Sequence, residues 1–229
     1  MALAGEGAVA IWHDIAPEGR ETFYAWHGVE HMPERVGIPG FVRGRRYVAF
    51  KADLEFFNLY EALSPETLAG TDYRTRLDNP TPWTRSAVAH FRDVSRSICR
   101  VAGTVGRGSG GIVATARYDV PEAAADAHRR QVVGEVLPRL STEPGIAGAH
   151  LLVADEATSR IVTEEQRSRG GPRNEVPRWI LIVEGWGDEA PFVDRVESIL
   201  AAPPFGGTAP LVGFYRLQNT RLKTDWTAG

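Results

Sequence analysis

The chain has one cysteine in 229 residues, Cys99, so no disulfide can close within it and no cysteine-rich metal site can form. Cys99 lies in the strand-like run SRSICRV and reads as a small buried hydrophobe. Long apolar runs are missing: none approaches the roughly 18 residues that a spanning helix needs. The opening MALAGEGAVAIWHD has neither a charged leader nor an extended apolar stretch. The expectation is a soluble, cytoplasmic protein with no membrane partner. An excess of one charge is missing too, because 26 basic and 29 acidic residues leave a formal charge of -3. Nucleic acid needs a concentrated basic face, and short clusters such as Arg43, Arg45 and Arg46 do not make one. No G-x-G-x-x-G follows a strand, and there is no P-loop or G-x-S-x-G elbow. GRGSGG, 106–111, leads into a strand and reads as a linker.

What is there is one pattern stated twice. A strand at 8–15 is followed by a helix from about Glu18 to Val36, with Phe23, Trp26, His27, Glu30 and Glu34 at helical spacing. Ile38-Pro39-Gly40 ends it, and two strands follow at 42–50 and 55–62. Ser64-Pro65-Glu66 signals a helix start, reaching about Leu77, and after breaks at Pro80 and Pro82 a strand from Phe91 to about Val101 closes the half. After the linker the order recurs: a strand at 112–122 ending in Asp-Val-Pro-Glu, a helix from Glu122 to Leu140, strands at 148–154 and 178–186, a helix at 188–201 and a strand at 210–222. Pro33 and Pro39-Gly40 reappear as Pro138 and Pro144-Gly145, both offset by 105, whereas Glu61 and Glu184 are offset by 123. The additional 18 residues fall in a charged, Gly/Pro-bearing segment, about 155–177, expected to be a mobile loop.

Such self-similarity indicates duplication, and βαββαβ is the ferredoxin-like unit. The expected fold class is α+β: two ferredoxin-like repeats, 1–106 and 107–229, whose four-stranded antiparallel sheets cover each other as an intrachain barrel.

HGVEH, His27 to His31, matches the H-x-x-E-H pattern of inverzincin metalloproteases. Pro33, two residues on, disturbs the helix where a zinc site would need rigidity, so no metal site is expected. The longer run WHGVEHMPERVGIPGFVRGRRY resembles the signature of the dimeric α/β-barrel superfamily, in particular EthD-like and other bacterial members. The matching positions are Glu30, His31, Pro33, Glu34, Pro39, Gly40 and Phe41, then Arg45, Arg46 and Tyr47. Val136 stands where His31 stands, so a site using that histidine exists once per chain.

The resemblance implies a cofactor-independent protein that binds or transforms a small, mainly apolar organic molecule, as in bacterial catabolism. The competing reading is a non-catalytic scaffold for ligand sensing or protein association. Haem, bound by some members, would need an axial histidine, for which His31, His128 and His150 are available. His31 is the candidate acid/base, its free pKa near 6.5 suiting proton transfer, with Glu30 as its orienting carboxylate. His13, Trp12, Tyr47 and Tyr60 are candidate ligand contacts, and strand alternation points Trp12 and Asp14 one way and Ile11 and His13 the other. A monomer that closes its own barrel and a homodimer are both compatible with this reading.

Overall fold

The computed structural model describes residues 3–169 and 175–223. Eight strands close into one barrel in the order β1-β3-β2-β8-β5-β7-β6-β4, every pairing antiparallel. They are β1 (Gly7–Ile15), β2 (Phe41–Lys51), β3 (Phe56–Ala62), β4 (Phe91–Gly106), β5 (Ile112–Tyr118), β6 (Ile146–Ala154), β7 (Trp179–Gly185) and β8 (Leu211–Leu222). Each repeat contributes the order 4-1-3-2 of a ferredoxin-like sheet, and the sheets are hydrogen-bonded along the seams β2–β8 and β4–β6. Strand β4 runs five residues past the expected Val101. The longer strand makes its seam, where Gly103 to Gly106 pair with Leu151 to Gly148.

The duplication extends to irregularities. β2 carries a bulge between Phe41 and Arg43 opposite Ala62 and Glu61; β6 carries its counterpart between Ile146 and Gly148 opposite Gly185 and Glu184. Gly40 and Gly145 both end their helices with positive φ, +86° and +83°, a region that costs a residue with a Cβ.

The long helix of each repeat is broken at the same place. In the first, α1 (Arg20–Trp26) and α2 (Met32–Gly37) flank a π-turn at His27–His31; in the second, α6 (Glu122–Gln131) and α7 (Leu137–Leu140) flank one at Val132–Val136. Pro33 and Pro138 are the cause. Neither has an N–H for the carbonyl four residues earlier, so the turn widens and Met32 N–H bonds the carbonyl of His27.

Alternation along the strands makes two kinds of core. One set, with Ala8, Ala10, Trp12, Tyr47, Phe57, Leu59, Leu152, Ile180, Ile182 and Tyr215, fills the barrel. The other set faces the helices outside it, separately for each repeat. Three further helices cover the first repeat: α3 (Pro65–Ala69), α4 (Thr71–Asp78) and α5 (Pro82–Val88). Sequence reading took Pro80 and Pro82 as breaks, but Pro82 opens α5, where its missing N–H costs nothing, and Thr81 caps the helix by accepting from Thr84 N–H at 2.9 Å.

In the 155–177 segment, α8 (Glu156–Ser159) and α9 (Glu164–Arg167) form short capped turns, and α9 docks on α4 and α5 of the first repeat. These turns are docked, where sequence reading expected a mobile loop; residues 170–174 of that loop lie outside the described residues. α10 (Glu189–Ala201) completes the second repeat. Among the described residues no helix is long and apolar enough to cross a membrane.

Candidate functional site

The sequence-derived candidates fall in two places. Trp12 and Tyr47 lie inside the barrel: Trp12 stacks on Phe57 at 5.0 Å and donates to Thr115 Oγ1 at 3.1 Å, while Tyr47 stacks on the other side of the same cluster. His13, His31 and Tyr60 lie in the layer between the first repeat's sheet and its helices, because β1 and β3 point successive side chains to opposite faces. Glu30 sits on the far side of the π-turn, where its Oε1 accepts from Thr81 at 2.6 Å and Thr84 at 3.1 Å. Its carboxylate ties the π-turn to α5, and the described contacts give it no bond to His31.

The outer layer of the first repeat collects polar groups that sequence reading did not assemble. His27 and His31 both turn inward, 2% and 6% exposed, and their rings are 5.4 Å apart. Arg46 donates to His27 Nδ1 at 3.2 Å, which leaves the ring proton on Nε2, facing the Tyr60 oxygen at 3.2 Å. The Tyr60 hydrogen then has no acceptor among the described residues. His13 is fixed in the same way: Nδ1–H faces the Asp14 carbonyl at 3.3 Å, and Nε2 accepts from Asn58 Nδ2 at 2.9 Å. Around these groups stand Phe23, Trp26, Phe56 and Phe91, with the Trp26 ring 4.2 Å from His31 and Phe91 4.2 Å from His13.

Among the described residues, His31 Nδ1 and Asn58 Oδ1 are buried in this layer without a hydrogen-bond partner. Leaving such an atom unsatisfied costs roughly 1–3 kcal/mol. Burial also holds all three imidazoles neutral. His13 is pulled down to about 3, mainly by burial, with Arg169 and Arg46 adding to it against the Asp14 hydrogen bond. Burial lowers His27 and His31 well below the usual range, helped by their mutual repulsion at His27 and by Arg35 and Arg169 at His31.

Arg169 comes from the second repeat's insertion. It packs over Phe91 at 5.8 Å and shares Glu165 with Arg35, so the insertion of one repeat covers the site of the other.

The barrel interior holds a second polar cluster, at one end. Arg45 bridges Glu61 at 3.0 Å and Glu184 at 2.8 Å, and His150 Nε2 lies 3.2 Å from Glu184. Burial works to raise the Glu184 carboxyl, but the His150 hydrogen bond and the Arg45 guanidinium hold it down to about 2. Arg45 and His150 are equivalent by the 105-residue offset, as Glu61 and Glu184 are by the 123-residue offset, so this cluster is a duplicated pairing of a basic side chain with a glutamate. Gly110 N–H donates to Glu184 Oε2 at 3.0 Å, which anchors the linker. A Cβ on Gly110 would meet the Gly185 carbonyl at 2.1 Å.

The donor set does not fit haem. His150 is committed to Thr104 and Glu184, and His128 Nε2 to the Tyr118 hydroxyl at 3.0 Å. His31 keeps an unpartnered nitrogen but lies under Trp26, and none of the clefts described reaches it. The residues that carry the layer beyond the expected three are His27, Arg46, Asn58 and Arg169. Comparing the repeats could have found the first three, which stand opposite Val132, Leu151 and Leu181; nothing in the sequence links Arg169 to this layer.

No family model matches the sequence, and no curated protein matches it. Solved structures do resemble it. An anthrone oxidase-like protein superposes with a TM-score of 0.63 at 13% identity, over 97% of this chain and 95% of that one. A proposed monooxygenase from Lactobacillus acidophilus gives 0.56 at 10% identity, over 95% and 97%. A proposed chlorite dismutase gives 0.55 at 11% identity, over 94% and 96%. At these identities the likeness is one of fold. The chain is built on the ferredoxin-like dimeric α/β-barrel fold, with both units in one polypeptide.

Proposed function

We propose that the layer between α1, α2 and the sheet of the first repeat, which none of the described clefts reaches, parts to bind a small, mainly apolar organic molecule bearing an oxygen function. The observation that carries this is the pair of buried, unpartnered atoms, His31 Nδ1 and Asn58 Oδ1, inside aromatic walls. With the unclaimed Tyr60 hydrogen they offer one donor and at least one acceptor, a set that suits a hydroxyl or carbonyl on an aromatic ring. Buried polar atoms left unsatisfied call for an explanation, and a ligand that completes them supplies one.

The same groups support chemistry. His31, neutral at ordinary pH, takes a proton only if the resulting oxyanion is stabilised, and Arg35, Arg46 and Arg169 are the cations placed to do that. Glu30 is not needed in this scheme. The relatives described as an anthrone oxidase-like protein and a monooxygenase fit a small-molecule transformation. A cofactor-independent, EthD-like role in bacterial catabolism rests on the motif from Glu30 to Tyr47 and belongs to this proposal, as does a cytoplasmic location.

Calorimetric titration with 2-naphthol, and with 2-methoxynaphthalene as the ligand lacking a donor, tests it. Saturable binding of 2-naphthol that His31→Val weakens about tenfold, with the methoxy compound binding more weakly, is the expected result. Equal binding by wild type and His31→Val would refute the site.

A further inference from the structure

Between the first repeat and the insertion of the second lies a narrow slot of about 60 Å³, opening to solvent. Its walls are mainly apolar, with Leu68 and Ala69 of α3, Tyr73 and Leu77 of α4, Ile98 of β4 and Ile161 from the insertion, and Arg74, Thr158 and Thr163 complete the lining. One charged group lies deep in it, Arg96 of β4, 4% exposed, with Nη2 donating to the Tyr73 hydroxyl at 3.0 Å. Desolvating a guanidinium is costly unless a counter-charge is present. None of the described carboxylates forms an ion pair with Arg96.

The nearby carboxylates are fully used. Glu165 gives one oxygen to Arg35 and the other to Arg169. Glu34 gives one oxygen to Arg35 and the other faces Arg76. Two carboxylates thus face four guanidiniums: Glu165 also feels the Arg96 charge without pairing with it, and the cluster keeps an excess of positive charge. The feature is particular to this repeat: Arg96 lies opposite Ile11, and the matching position opposite Ala116 in the second repeat is Val212.

We propose that this slot binds a short-chain monocarboxylic acid, its carboxylate paired with Arg96 and its chain lying along Leu68, Leu77 and Ile161 toward the opening. A neutral lipid would leave the cluster's excess positive charge uncompensated. A fully polar anion would leave the apolar walls uncovered. Such a ligand would also clamp α8–α9 to α3–α4, because its walls come from both. None of the residues lining the slot is among the polar groups of the His31 layer, so it stands or falls independently of the function proposed above.

The test is titration of the full chain with hexanoate, hexan-1-ol and inorganic phosphate, followed by calorimetry and by amide shifts of β4 and α4. Expected is saturable 1:1 hexanoate binding, at least about tenfold tighter than the alcohol and not displaced by phosphate. Arg96→Gln should weaken it about tenfold or more, and Ala69→Trp, a change at an exposed position on the wall, should block it while the spectrum stays folded. His31→Val should leave it unchanged. Absence of saturable binding, alcohol binding equal to hexanoate, displacement by phosphate, or undiminished binding in both slot variants would each overturn the proposal.

Discussion

The two repeats share a backbone down to their bulges and π-turns, yet they fill the layer under the long helix with opposite chemistry. In the first repeat His13, His27, His31, Arg46, Asn58 and Tyr60 occupy it; the equivalent positions of the second hold Tyr118, Val132, Val136, Leu151, Leu181 and Val183. The strand pairings verify the equivalence: Asn58 lies between Ile11 and Arg46 as Leu181 lies between Ala116 and Leu151. The second repeat keeps one polar contact there, Tyr118 to His128, and otherwise packs as an ordinary core. The fold therefore does not require the polar set. The apolar version shows what the scaffold needs, and the polar version shows what has been added to it. Inside the barrel the comparison runs the other way, since the Arg45–Glu61 and His150–Glu184 pairs were kept in both repeats.

The largest effect should come from breaking what the repeats share. Glu184→Leu strips His150 of its carboxylate and leaves the buried Arg45 with Glu61 alone, and a loss of about 3–5 kcal/mol is expected in urea unfolding. A loss under about 1 kcal/mol would mean that the interior pairs do not organise the barrel.

Exchanging residues between the repeats sharpens the contrast. Val136→His places an unpartnered imidazole in an apolar layer and should destabilise by about 2–3 kcal/mol. His31→Val removes an unpartnered nitrogen and should be neutral or stabilising by about 1 kcal/mol, at the cost of ligand binding. Equal destabilisation by both exchanges would show that His31 is structural.

Acid should act on the first repeat before the second. A histidine whose folded pKa lies below 6.5 binds fewer protons folded than unfolded, so stability is fully present above about pH 6.5 and falls as pH drops toward the folded value, about 3 for His13. His27 and His31 shift in the same direction. Each contributes a slope of up to about 1.4 kcal/mol per pH unit in that window. His31→Val should flatten the dependence between pH 4.5 and 6 by up to one such increment, read from unfolding curves at several pH values. An unchanged slope would place His31 in contact with water.

The smallest effect is expected from Glu30→Ala. It loses two hydroxyl hydrogen bonds, worth about 1 kcal/mol together in this half-exposed setting, and should leave the His31 titration unmoved. A shifted His31 titration would restore the carboxylate–histidine pairing read from the sequence.

Much of this was legible before the fold. The proline spacing gave the duplication because Pro33 and Pro138 act on the backbone directly, and strand alternation already separated Trp12 from His13. The π-turn was not legible, since nothing distinguishes a proline that widens a turn from one that kinks a helix. Pro82 misled for a related reason: the same residue that ends one helix begins another. His27 was hidden by the zinc pattern in which it stands. Arg169 and the Arg96 slot depend on where an insertion folds back, a tertiary event with no local signal.

The central claim, that the first repeat's layer is a ligand site and the second repeat's is core, is tested most directly at the ring nitrogens. In histidine-labelled protein, long-range proton–nitrogen spectra recorded during a 2-naphthol titration report the state of His31 Nδ1. The account expects that nitrogen to shift saturably, with Tyr60 and Asn58 following and the Val132 and Val136 methyl signals still. An unmoved His31 at saturating ligand, or equal shifts in both repeats, would contradict it.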